Sequence, residues 1–126
     1  MALKLPPPRT ILPVLERAKR AYLLWLPIKR NMPREERFGI GEKIDGLLLE
    51  TLDGLRVATF AKGDAKRSAL ATVSLRIDGL KFFTQLAWEA KLVARTQYAE
   101  LAGTIEEVGR MVGGWRKGLE SKPRAP

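Results

Sequence analysis

The chain has no cysteine and no histidine. Without thiols there are no disulfides, thiolate nucleophiles or cysteine metal ligands, and without imidazole the usual side chain for proton transfer near neutral pH is missing. Asparagine and glutamine are scarce, with Asn31, Gln85 and Gln97 the whole complement; a chain so short of thermolabile side chains points to a thermophilic host. Long hydrophobic runs are missing too. The longest, Ala21–Ile28, falls far short of the ~20 residues a membrane-spanning helix needs. The opening MALKLPPPRT has prolines where a signal peptide has an apolar stretch. A soluble, cytoplasmic protein with no membrane association is expected. No glycine-rich phosphate loop, paired-carboxylate metal pattern or serine beside a base appears, so the expectation is a non-catalytic protein with no metal and no cofactor.

What is present is positive charge, unevenly spread. The 126 residues, 45% hydrophobic, suffice for one domain with a sizeable core. Lys and Arg number 23 against 14 Asp and Glu, a net +9. Residues 1–37 contribute +6 and residues 116–126 contribute +3, while residues 38–115 hold ten charges of each sign. The excess at the two ends points to a polyanionic partner, RNA or DNA; its bland competitor is charge kept for solubility.

Residues 1–9, with Pro6, Pro7 and Pro8, read as an extended, poorly ordered arm, residues 10–119 as an up-down-up-down four-helix bundle, and residues 120–126 as a flexible tail. In the first helix Ile11, Leu15, Ala18, Tyr22 and Trp25 recur at helical spacing, with Arg17, Lys19 and Arg20 off that stripe. Pro27 is expected to end or kink this helix, leaving Ile28–Pro33 as the connection. Pro33 then suits the first turn of a second helix with the stripe Ile40, Ile44, Leu47, Leu48, Leu52, Leu55 and Ala58, ending near Phe60–Gly63. Glycines 39, 41, 46 and 54 run against that helix, so close packing is expected at them. Asp64 is placed to cap a third helix that runs to about Arg95 with two apolar stripes. One is Leu70, Val73, Ile77, Leu80 and Ala87; the other, Leu75, Phe82, Phe83, Leu86 and Val93, exceeds what one bundle contact covers and implies a homo-oligomer. Arg95–Gln97 is expected to link into the fourth helix.

That last helix carries Tyr98, Leu101, Ile105, Val108, Val112, Trp115 and Leu119 three and four residues apart, an apolar seam that needs partner helices. Trp115 is expected to matter to stability more than Trp88. Tyr98 followed by Glu106, Glu107, Val108, Gly109, Arg110, Met111, Val112, Gly113, Gly114 and Trp115 resembles the closing signature of Avd, the accessory variability protein of diversity-generating retroelements. Trp25, Leu26 and Pro27, then Pro33, Arg34, Arg37, Phe38, Gly39, Ile40 and Gly41, resemble the same family's passage from first to second helix. Met32 replaces the family's phenylalanine before proline and Gln85 an expected arginine, so contacts of the third helix are not carried over. The resemblance implies an all-α four-helix bundle, a homopentameric ring, and a non-catalytic accessory subunit that binds a reverse transcriptase and nucleic acid during mutagenic complementary-DNA synthesis.

The residues expected to touch nucleic acid or the reverse transcriptase are Arg17, Lys19 and Arg20 on the first helix and Lys29, Arg30, Arg34 and Arg37 around the basic turn after it. Phosphate contacts of this kind attract without reading bases. Two alternatives stand beside this one: a four-helix protein of the type encoded in ribosomal RNA intervening sequences, and a small all-helical mutase of the chorismate type. The mutase requires charges facing inward, whereas the helical pattern directs the charges outward.

Overall fold

The computed structural model describes residues 13–120. The expected arm lies outside them, and of the expected tail only Glu120 is described, as the last residue of a helix. Among the described residues four helices make the fold. Helix α1 is Pro13–Asn31. Helix α2 is built of a turn at Arg34–Glu36, a π-helical segment at Arg37–Gly41 and the α-helix Glu42–Phe60. Helix α3 is Gly63–Glu89 and α4 is Arg95–Glu120. No strand occurs among the described residues.

Side-chain pairs fix the directions. Arg17 meets Glu107 and Arg20 meets Glu100, so α1 and α4 are antiparallel. Glu50 with Arg76 and Gly54 beside Val73 make α2 antiparallel to α3, and Lys81 with Glu106 and Arg67 with the Leu119 carbonyl make α3 antiparallel to α4. With α1 also packed on α2, each helix touches its two neighbours and the ring of four closes, up-down-up-down. The interior is aliphatic: Ile44, Leu55, Leu70 and Val73 are wholly buried, with Leu101, Ile105, Val108 and Val112 from the α4 seam. The predicted inner stripe of α3 is buried throughout. Thr51, Thr84 and Thr104 are buried without cost because each hydroxyl donates to the carbonyl four residues back. A void of about 10 Å³ at the centre is lined by Ala18, Ala21, Leu48, Thr51, Ile77, Leu80, Ile105 and Val108. It is one water in size, and no charged side chain lines it.

Four local expectations fail, each for a physical reason. Pro27 does not end α1, which continues to Asn31, so the connection is only Met32 and Pro33. Pro27 and Leu23, whose carbonyl loses its donor, both lie on the exposed face, where water replaces the bond, and buried Trp25 and Ile28 hold the helix on either side. Asp64 caps nothing. The extended Lys62 takes the cap position without a side-chain bond, Gly63 makes the turn at φ +58°, and the Asp64 carboxylate faces Arg67 at 3.4 Å. Third, α3 stops at Glu89 rather than near Arg95. Lys91 adopts φ 63°, and the N–H groups of Lys91 and Leu92 donate to the carbonyls of Trp88 and Ala87. This is a Schellman stop, made with lysine in the place where glycine usually signals it. Fourth, Arg95–Gln97 already belongs to α4, and Val93 packs in the link rather than on a helical stripe. The close packing expected at four glycines is found at Gly54, where a Cβ would run into Val73 Cγ2, and at Gly41, where it would meet the Glu36 carbonyl oxygen at 3.1 Å. It is not found at Gly39, which is exposed with nothing within 4 Å, or at Gly46, where the nearest atom is Glu50 Oε1 at 4.0 Å.

Candidate nucleic-acid interface

The seven basic residues divide into two groups along the bundle. The first lies midway along α1, where Arg17 Nε is 3.2 Å from Glu107 Oε2, Arg20 Nη2 is 2.8 Å from Glu100 Oε2, and Lys19 Nζ is 3.1 Å from Glu16 Oε2. All three pairs are about half exposed, a setting in which an ion pair contributes ~0.2 to 1 kcal/mol and yields readily to salt or to another anion.

The second group surrounds the corner between α1 and α2. Lys29 and Arg30 occupy the last turn of α1, where the helix dipole favours cations. Lys29 Nζ is 3.5 Å from Asp45 Oδ2 and 3.7 Å from Glu42 Oε1. Asp45 is the anchor of the corner, because its Oδ1 also accepts from Trp25 Nε1 and from the Tyr22 hydroxyl, each at 3.1 Å. Burial pushes the Tyr22 hydroxyl above its ordinary pKa, and the Asp45 carboxylate adds to this by accepting a hydrogen bond from the hydroxyl and by its charge. Trp25 is buried and Tyr22 half-buried, both packed with the core as their helical spacing implied.

Arg30, Arg34 and Arg37 have no carboxylate partner among the described residues. Arg30 is exposed at the end of α1, and Arg34 opens α2 with its guanidinium 5.9 Å from the centre of the Phe38 ring. A cation in the first turn opposes the helix dipole, so Arg34 costs the fold ~0.3 to 1 kcal/mol, which Glu35 and Glu36 in the same turn offset. Arg37 is half-buried, and its Nε is buried with no hydrogen-bond partner among the described residues. Such an orphan donor is disfavoured by ~1 to 3 kcal/mol. It lies in the π-helical segment, a one-residue expansion of the helix of a kind that gathers at functional sites.

The sequence reasoning passed over Phe38 as a site residue, although it stands next to Arg37 and four residues from Arg34; it is 67% exposed. The outer apolar stripe of α3 is found where expected, with Leu75, Phe82 and Leu86 all exposed on one face. Phe83 is half-buried, edge-on to Phe82 and beneath Lys43. At the opposite end Trp115 is half-buried beside Pro13, Val14 and Met111, with Lys66 over its ring at 5.4 Å. Trp88 is 40% exposed and stacks on Tyr98. Among the described residues no helix is long and apolar enough to cross a membrane. Nor does any group of three or more acidic side chains there form a metal cage.

Among solved structures the chain is similar to a protein of unknown function from the S23 ribosomal protein family of Bacteroides thetaiotaomicron VPI-5482. The two share 13% identity and a TM-score of 0.75 over 82% of this chain and 95% of that one, a likeness of fold. No curated protein matches. A family model described as bAvd-like matches residues 14–119, nearly the whole of the described bundle and both motifs that carried the resemblance to Avd. The chain belongs to the bAvd-like family.

Proposed function

We propose that this protein is a non-catalytic accessory subunit of a diversity-generating retroelement, binding the reverse transcriptase and template RNA or complementary DNA through its basic surface. Membership of the bAvd-like family supports the accessory role. The observation that carries the contact with nucleic acid is the α1–α2 corner, where Arg30, Arg34 and Arg37 stand without carboxylate partners among the described residues. Arg17, Lys19, Arg20 and Lys29, each already paired with a carboxylate, border this contact as the rest of the basic surface. The exposed stripe Leu75, Phe82 and Leu86 supports assembly into a homo-oligomer, and the family resemblance supplies the number five.

The test is a salt titration of RNA and DNA binding by wild type and by the triple variant Arg30→Glu, Arg34→Glu, Arg37→Glu, with circular dichroism to follow the fold. Each lost phosphate contact flattens the slope of log K against log salt by about 0.9 for duplex or 0.7 for single strands. Equal affinities and slopes would reduce the corner to a solubility device. Co-purification of a reverse transcriptase encoded beside the gene tests the second partner. Light scattering tests the assembly, where a mass of one chain would remove the ring. A ribosomal RNA locus around the gene, in place of a reverse transcriptase and an adenine-rich repeat, would favour the intervening-sequence alternative.

A further inference from the structure

Phe38 keeps different company from the exposed apolar stripe of α3. Leu75, Phe82 and Leu86 repeat along one face of α3, and an apolar stripe of that kind suits contact with another apolar surface. Around Phe38 the exposed neighbours within a helical turn are Arg34, Glu35, Gly39 and Glu42, with no aliphatic among them. An apolar partner would find one ring and otherwise charge. The ring is 67% exposed, so the Arg34 guanidinium at 5.9 Å from its centre leaves most of it in water. Gly39 beside it has no side chain, and a Cβ there would meet nothing within 4 Å, so the approach is open.

A wet aromatic ring beside Arg34 and next in the chain to Arg37, neither with a carboxylate partner among the described residues, is a combination that unpaired bases use. The arginines follow the backbone phosphates, and the ring offers a face to any base, without preference for sequence. A duplex keeps its bases inside its own stack and meets only the phosphate part of such a surface. We propose that Phe38 is a stacking platform for an unpaired base of single-stranded nucleic acid whose phosphates lie along Arg30, Arg34 and Arg37. This rests on the nucleic-acid reading given above and specifies the form of the polymer. The π-helical segment that contains Phe38 and holds the orphan Nε of Arg37 is part of the same platform.

The experiment compares wild type, Phe38→Ala and Phe38→Trp on a single-stranded oligonucleotide carrying 2-aminopurine and on a duplex of the same sequence at one salt concentration. Phe38→Ala is expected to weaken single-strand binding roughly 5- to 150-fold and to abolish the quenching of 2-aminopurine that stacking produces. Duplex binding and the salt slope stay as in wild type, because no phosphate contact is lost. Phe38→Trp restores both affinity and quenching. The exposed position makes either variant harmless to the fold, which circular dichroism checks. Wild-type affinity in Phe38→Ala would overturn the platform and leave the phosphate contacts standing, and so would an equal loss on single strand and duplex. A fall in the mass of the assembly on Phe38→Ala would also overturn it and assign the ring to a contact between copies of this chain. Absence of binding in wild type would remove both this inference and the reading beneath it.

Discussion

The two basic groups on and around α1 are both built of arginine and lysine, but they differ in how their charges are met: at the corner only Lys29 has carboxylate partners among the described residues. Midway along the helix, each of Arg17, Lys19 and Arg20 lies within 3.2 Å of a carboxylate. At the corner, Arg30, Arg34 and Arg37 have none among the described residues, Arg34 opposes its helix dipole, and the Arg37 Nε is orphaned. Arg17 and Arg20 tie α1 to α4 and serve the fold, whereas the three corner arginines, without carboxylates among the described residues, are the ones we propose meet phosphate. Net charge alone does not separate these cases.

Removing what lies beneath the corner should have the largest effect. Trp25 is 1% exposed and its indole N–H is bonded to Asp45, so Trp25→Ala is expected to cost ~3 to 5 kcal/mol in denaturant unfolding. Trp115→Ala should cost less, since that ring is half-buried, and Trp88→Ala least of the three. A Trp25 variant no less stable than the Trp115 variant would show that the corner does not rest on this anchor.

Next in size is the contrast in binding. Reversal of Arg30, Arg34 and Arg37 should flatten the salt slope by ~2 to 3 in total while leaving helicity intact. Neutralising Arg17→Gln and Arg20→Gln should instead act on the fold, lowering stability by ~0.2 to 1 kcal/mol for each exposed pair in a urea titration. If the mid-helix variant lost as much slope as the corner variant, both groups would be phosphate ligands and the division between them would fall.

The smallest effect is on pH dependence. The Tyr22 hydroxyl holds its proton more tightly in the folded protein than in the unfolded chain. Its contribution to stability is therefore complete below about pH 10 and is lost as the pH rises through the raised folded value. Urea unfolding at rising alkaline pH should show this decline, and Asp45→Asn should reduce it. An identical decline in the variant would mean that the Asp45 carboxylate contributes nothing to it.

The helical spacing of apolar residues was enough to read four antiparallel helices, their core faces and the surplus stripe on α3, because burial in a bundle imposes a period that sequence displays directly. The motifs around Trp25–Gly41 and Tyr98–Trp115 were likewise enough to identify the family. Termini were less legible, since they depend on what surrounds a residue. Pro27 is tolerated because its turn faces water, and α3 stops at a lysine in the left-handed conformation that no glycine announces. The list of seven basic residues could be written from composition, but its division could not. Which arginines meet carboxylates depends on Glu100 and Glu107 arriving from a helix some eighty residues further along, and only the closed ring of helices brings them there. Phe38 likewise stands in a sequence of ordinary helical character, and it took the packed corner to leave its ring in water beside Arg34. Local periodicity determined the fold, and long-range packing decided which charges meet carboxylates and which, among the described residues, do not.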